Sequence, residues 1–327
     1  MSLYNKPYLT FDQQLNLLKS RGMEVTNEKI ALEYLRRLGY YRLSGYWYPC
    51  RQLCKPSNIQ HKQSRLMRLD NFMTGTKFED IVNLYVFDKK LRLIVLDAIE
   101  RIEVAVRVEI AYLLGKTDPF AYNNQTLLHG NFTKKFNKLS GKSKHQEWLS
   151  KHDELINRSK EDFAIHYKSQ YGLPLPIWVA IELWDFGLLS TFYQGMRVHD
   201  KDFISKKYGI NNWQIMESWL RTLNYVRNVV AHHSRLWNRN LIDQPKLPKL
   251  GDMGAFDHLI GNTHMTSRVY VVLCILSYLL KSICPKSSWY IRVSSLVDSF
   301  PNTPHFRIKD MGFPIDWKNE ELWRAVK

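Results

Sequence analysis

Cysteine is scarce in this chain: four in 327 residues, at positions 50, 54, 274 and 284. That is too few to staple a protein of this size, so a disulfide scaffold is excluded and a reducing compartment is expected. Cys50, Cys54 and His61 resemble part of a zinc site. The spacing is unusual, however, and no fourth ligand lies close by, so no metal and no cofactor are expected. Long apolar runs are missing too. The longest, Val269 to Leu280, is bounded by Arg268 and Lys281 and is too short to cross a bilayer. The N-terminal Met-Ser-Leu-Tyr-Asn-Lys has no apolar core of a signal peptide, which makes a cytoplasmic protein the expectation. Repeats and low-complexity segments are absent, and no carboxylate cluster suits a two-metal nuclease.

Acid is also in short supply. The chain has 31 Asp and Glu against 47 Lys and Arg, a net charge of +16. Such an excess favours a polyanionic partner, either nucleic acid or an acidic membrane surface. With no spanning segment, nucleic acid is the stronger expectation. What is present in quantity is apolar matter: 45% of the residues, with 13% aromatic, enough for a core and too much for a disordered chain.

The apolar spacing predicts an all-α, mostly helical fold with small irregular or β elements. Leu9 to Leu18 and Asn27 to Leu38 read as short helices, with Thr10 and Thr26 as caps and a turn at Arg21-Gly22, a helical-hairpin or helix-turn-helix arrangement. Tyr40 to Pro49 is dense in aromatics and reads as irregular or strand structure. Arg51 to Thr76 reads as a loop or small hairpin. Phe78 to Leu114 carries the longest helical pattern, stopped by Gly115 and Pro119. Residues 130–160 are strongly basic and read as a solvated connector. Ile177 to about Gln194 and Val269 to Leu280 read as helices, and Met311 to Trp317 as an ordered tail. The expected division is an N-terminal helical segment (1–77), a helical domain (78–285) and a C-terminal tail (286–327).

The chemistry-bearing stretch is Arg227-Asn228-Val229-Val230-Ala231-His232-His233 on a helix expected from Trp213 to Leu236. Its buried stripe is Ile215, Trp219, Leu223, Val226 and Val230. That stripe leaves Asn224, Arg227, Asn228 and His232 off the core. Histidine moves protons near neutral pH, and arginine grips a phosphate through parallel hydrogen bonds. Together they supply what RNA cleavage without a metal requires. A bare Arg-x4-His match arises by chance about once in a chain this long, so the motif needs support. His233 offers a second spacing, and the sequence leaves open which histidine acts.

Several stretches resemble the Abi (abortive infection) proteins of bacteria, the AbiD/AbiF-like group. They are YYRLSGYWYP at 40–49, LYVFDKKLRLIVLDAIERIEVAVR at 84–107, LPIWVAIELWDFG ending at Gly187, VRNVVAHHSRLWNR at 226–239 and MGFPIDW at 311–317. The resemblance implies membership of the HEPN superfamily, whose mark is Arg-x4-6-His on a helix, commonly followed by a polar residue where Asn228 stands here. It implies an all-α HEPN-like bundle, a homodimer, and RNA cleavage that arrests growth during phage infection, in some members held in check by a small non-coding RNA. It also implies that Glu103 and Arg107 match the acidic and basic positions of an earlier helix. From spacing alone they are equally an ordinary ion pair four residues apart.

The expectation is therefore a metal-independent endoribonuclease. His232 is the general acid/base, Arg227 the phosphate clamp and Asn228 their positioner, with Glu103, Arg107 and His233 in support. Lys134, Lys135, Lys138, Lys142, Lys144, Arg235 and Arg239 are the expected RNA-binding residues. The alternatives are a non-catalytic RNA- or DNA-binding regulator, and nucleotide binding or group transfer in the same pocket. In the regulator reading the basic surface and the N-terminal helical pair carry the role, and Arg227 and His232 are structural. Should the 134–144 lysines not bind RNA, the surface is expected around Arg36, Arg37 and Arg42. Tyr40, Tyr41, Tyr46 and Trp47 beside them are read first as core and second as a stacking platform.

Overall fold

The computed structural model describes residues 7–54 and 67–324. In chain order the elements are α1 (Phe11–Ser20), α2 (Glu28–Leu38), α3 (Tyr40–Trp47), a hairpin of β1 (Arg51–Cys54) and β2 (Met67–Phe72), and α4 (Phe78–Gly115). Then come α5 (Gly130–Thr133), α6 (Lys144–Arg158), α7 (Asp162–Tyr171), α8 (Ile177–Ala180), α9 (Phe186–Gly195) and α10 (Val198–Lys207). The last are α11 (Trp213–Ala231), α12 (Thr263–Thr266), α13 (Val269–Ile283) and α14 (Trp289–Asp298). The fold is mostly α, as expected.

α4 is the spine. Its 38 residues make a rod of about 57 Å at ~1.5 Å per residue. Leu84, Leu91, Val95, Ile99, Ile102, Val106 and Ile110 turn inward at three-, four- and seven-residue steps. α3, α8, α11, α13 and α14 all pack on it. α13 is buried almost throughout, which explains its unbroken apolar sequence. A single apolar cluster runs from Leu15 to Trp323, so the segments 1–77, 78–285 and 286–327 contribute to one core.

Four expectations need correction. Tyr40 to Trp47 is helical rather than irregular. Gly39, at φ +81°, ends α2 and redirects the chain. Leu43, Tyr46 and Trp47 then fall on one buried helix face, so those aromatics are core, while Tyr41 stays exposed. Residues 130–160 are no solvated connector. Ser143 and Gln146 form a reciprocal cap for α6, and His145, Trp148, His152 and Ile156 recur at steps of three, four and four on its buried face. The stretch 177–194 breaks at Trp184-Asp185. Trp184 is extended and buried, and the Asp185 side chain accepts from Leu188 N at 2.7 Å to start a fresh helix. Finally, α11 stops at Ala231 instead of Leu236.

Two smaller points concern the N-terminal region. Asn27, rather than Thr26, caps α2 by accepting from Ile30 N, and Thr26 instead donates to Glu79. The hairpin pairs Arg51 with Phe72 and Leu53 with Arg68, and Asp70 on β2 takes ion pairs from Arg21 and Arg51 at 2.8 and 3.0 Å.

Candidate active site

The end of α11 is built by an unusual residue. His232 is the C-cap, and His233 has φ +55°, the only positive φ outside glycine among the described residues. His233 N bonds to Val230 O and Ser234 N to Val229 O, both at 3.0 Å, the paired bonds of a Schellman ending. Glycine commonly fills this left-handed position, because a side chain there carries a steric cost. The chain holds a histidine in it. As a result His232 sits where the helix ends, its ring exposed and making no hydrogen bond within the described residues.

The turn is held from behind. Arg42 on α3 donates to the His233 carbonyl at 2.9 Å, and Arg235 donates to the carbonyl of Gly45 on the same helix. Asp88 on α4, fully buried, accepts from Trp237 N at 2.7 Å and from Leu236 N at 3.2 Å. It also accepts from Tyr46 Oη at 2.7 Å and pairs with Arg92 at 2.5 Å. Burial raises the Asp88 pKa, while Arg92, Tyr46 and the two backbone N–H groups pull it back. Three of the quoted sequence stretches (40–49, 84–107 and 226–239) thus meet behind the histidines.

In front lies a second polar group. Arg227 and Asn228 occupy the last turns of α11, with Arg227 half-buried and Asn228 exposed. Arg227 Nη1 approaches Asn228 Oδ1 at 3.5 Å. Arg107 pairs with Glu103 and donates to the Trp184 carbonyl, and its Nη1 reaches the Glu182 carboxylate at 3.7 Å. Burial raises the Glu103 pKa. The charges of Arg107 and then Arg227 oppose that rise, and Asp185 adds to it. Glu103, Arg107, Arg227 and Asp185 therefore share one electrostatic neighbourhood. Glu103 is bonded to Arg107 and feels the charge of Arg227, whose own side-chain hydrogen bond goes to Asn228.

The expected RNA-contacting residues divide. Lys134, Lys135, Lys138, Lys142 and Lys144 are exposed, around the start of α6. Arg235 and Arg239 are half-buried and bonded internally. Burial lowers the Arg235 pKa, and Arg239 donates to the Arg235 carbonyl at 2.8 Å. Sequence reasoning offered Arg42 only as a nucleic-acid contact and did not single out Asp88 or Asp185. Arg42 and Asp88 bond to segments 191 and 149 residues away, a tertiary signal, whereas Asp185 caps α9 three residues before Leu188, a local one. Among the described residues, no group of His, Cys, Asp and Glu is arranged to hold a metal ion. Cys50 is buried, which pushes its thiol up to about 12, and His61 lies outside the described residues. No helix among them is long and apolar enough to cross a membrane.

These features define a class: a helical protein with an arginine–histidine pair at an exposed helix end, backed by a buried carboxylate network. The chain belongs to the family described as Abi-like protein, whose match covers residues 33–238, more than half its length. That span includes Glu103, Arg107, Arg227, Asn228, His232 and His233, and it stops before Arg239 and the 311–317 tail. No curated protein and no solved structure matches the chain.

Proposed function

We propose that this abortive-infection family member is a metal-independent endoribonuclease of the HEPN type, related to the AbiD/AbiF group and acting on cytoplasmic RNA in anti-phage defence. The observation that carries this reading is the placement of the motif. His232 is exposed and unbonded at the helix end, and the charge of Arg227 acts on Glu103 of the Glu103–Arg107 pair. A histidine retained for structure alone is expected to be buried with a satisfied partner.

In this reading His232 accepts the proton of a ribose 2′-hydroxyl. The 2′-oxygen attacks the adjacent phosphorus, and the P–O5′ bond breaks. The leaving 5′-oxygen takes a proton, giving a 2′,3′-cyclic phosphate and a 5′-hydroxyl. Arg227 binds the phosphate as its charge builds, and Asn228 and Glu103 hold Arg227 in place. Each chain carries one such pair, so the reading includes a homodimer with two motifs facing one another. An exposed apolar row beside Glu103 and Arg107 on α4, comprising Val104, Val108 and Tyr112, supports it. A small RNA antitoxin is a further partner in this reading.

The test is expression in bacteria of wild type, Arg227→Ala and His232→Ala, with growth and RNA integrity followed, and cleavage by the purified proteins assayed in EDTA. Wild type is expected to degrade RNA in EDTA to 2′,3′-cyclic phosphate ends, and both variants to be inert yet folded. Growth arrest that survives in His232→Ala would reject the nuclease and leave a binding regulator.

A further inference from the structure

We propose that the cleft between α6, α9 and α11 seats the single-stranded RNA segment that flanks the bond to be cut. The inference rests on the endoribonuclease reading, to which it adds a substrate path. The cleft measures about 660 Å³, within the size range of ligand sites. Asn224 lines it, and Asn224 stands three and four residues before Arg227 and Asn228 on α11, hence on the same helix face. Asp185 lines it as well, and Asp185 is an electrostatic neighbour of Glu103. The cleft therefore ends about one helical turn before Arg227 on the same face of α11, although neither Arg227 nor His232 lines it.

Its α6 wall carries Lys144, Lys151 and Arg158. Seven residues are close to two helical turns, so the three cations form one row about 21 Å long at ~1.5 Å per residue. None of the three has an ion-pair partner among the described residues. Three carboxylates line the cleft as well. Glu147 accepts from Ser140 at 2.6 Å, Asp185 caps α9 at 2.7 Å, and Glu154 lies between Lys151 and Arg158 on α6, so it is the cation row and not the net charge of the lining that would meet phosphates. The opposite wall offers Thr191, Gln194 and Asn224, neutral side chains that donate and accept hydrogen bonds. A row of cations facing a row of amides and a hydroxyl fits a strand with phosphates on one edge and unpaired bases on the other. Double-stranded RNA keeps its base edges paired and stacked, so it cannot present both at once.

The test uses the full chain in a His232→Ala background and measures binding of a short fluorescent single-stranded RNA by anisotropy across a salt series. Lys151 and Arg158 are exposed, so their replacement is expected to leave the fold intact. Lys151→Gln with Arg158→Gln is expected to weaken binding at least tenfold and to lower the log–log salt slope by about 1.4, at ~0.7 per neutralised single-strand phosphate. A 4-thiouridine probe is expected to cross-link to peptides containing Thr191 or Gln194. Unchanged affinity and slope, or cross-links confined to other helices, would overturn the proposal. RNA bound in the cleft by a wild-type protein that cuts nothing would reject the nuclease and keep the cleft. Cutting that is indifferent to both substitutions would do the reverse.

Discussion

α4 carries three ion pairs of the same type, Asp88–Arg92, Asp97–Arg101 and Glu103–Arg107, each an acid followed four residues later by an arginine, and the fold treats the first and the last in opposite ways. Asp88–Arg92 is sealed, at 0% and 6% side-chain exposure, and every donor around the carboxylate is matched. Glu103–Arg107 is partly open, at 13% and 15%, and Arg107 Nε is buried without a partner. The first pair joins α3, α4 and the chain after the histidines into one unit. The second pair feels the charge of Arg227 and reaches the backbone at Trp184. Identical spacing thus supports a structural knot at one end of a helix and a candidate catalytic shelf at the other. What separates them is how completely the partners satisfy one another.

Removing one partner of the sealed pair gives the largest expected effect. Asp88→Ala leaves two backbone N–H groups and the Tyr46 hydroxyl without their acceptor and strips the buried Arg92, which keeps Tyr46 Oη at 3.1 Å, of its counter-charge, a loss on the order of 3–5 kcal/mol for a broken buried pair. Urea unfolding is the measurement. A midpoint equal to wild type would mean that the knot is dispensable and the contrast with Glu103 false.

The open pair is expected to show the reverse profile. Glu103→Gln keeps the shape and much of the hydrogen bonding but removes the charge that faces Arg107 and Arg227. Stability is expected to fall by less than for Asp88→Ala, because Gln keeps the volume and an acceptor for Arg107. RNA cleavage is expected to fall by roughly 10- to 100-fold, as for other residues that orient a reacting group from behind. Unfolding and cleavage measured on the same preparation separate the two pairs. A variant that unfolds early and cuts at the wild-type rate would make Glu103 a second structural knot.

This contrast also marks what sequence could and could not reveal. α4, α11 and α13 were legible because each buries a long periodic stripe. So was the group of Arg227, Asn228 and His232, since the stripe of α11 leaves them off the core. The helical state of Tyr40–Trp47 was hidden by its aromatic content, which favours strands in isolation. α6 was hidden by its lysines, which mask the buried series His145, Trp148, His152 and Ile156. The breaks at Asp185 and His233 depend on a side-chain cap and a left-handed residue, features that hydrophobic period does not record. Asp88 was unreadable as a knot because its acceptors serve N–H groups almost 150 residues away.

The distinction between complete and partial satisfaction extends to α6 and gives a pH test. His145 Nδ1 and His152 Nε2 are buried without partners, and burial lowers both pKa values below the ordinary 6.5. Above pH 6.5 both histidines are neutral whether the chain is folded or unfolded, so they add no pH dependence. Below it the unfolded chain binds protons first, and stability falls as pH falls towards the folded pKa values. Thermal melts from pH 7.5 to 5 are expected to decline, and replacing both histidines by glutamine is expected to flatten that part of the curve. The same decline in the double variant would assign the acid sensitivity elsewhere.

The smallest expected effect comes from the residue that bridges the two regions. Arg42 belongs to α3, the helix whose Tyr46 joins the Asp88 knot, yet its guanidinium donates to the carbonyl of His233 at the candidate site. Arg42→Ala removes one hydrogen bond at a solvent-facing position, a net loss of about 0.5–1.5 kcal/mol. The left-handed His233 also loses an external support, so the helix end can relax and shift His232. Cleavage is therefore expected to fall several-fold while the unfolding midpoint drops far less than in Asp88→Ala, and Arg42→Lys, which keeps one donor, is expected to recover part of the rate. If Arg42→Ala weakens RNA binding and leaves the cleavage rate of bound RNA unchanged, Arg42 contacts the nucleic acid directly and the bridge between the two regions is absent.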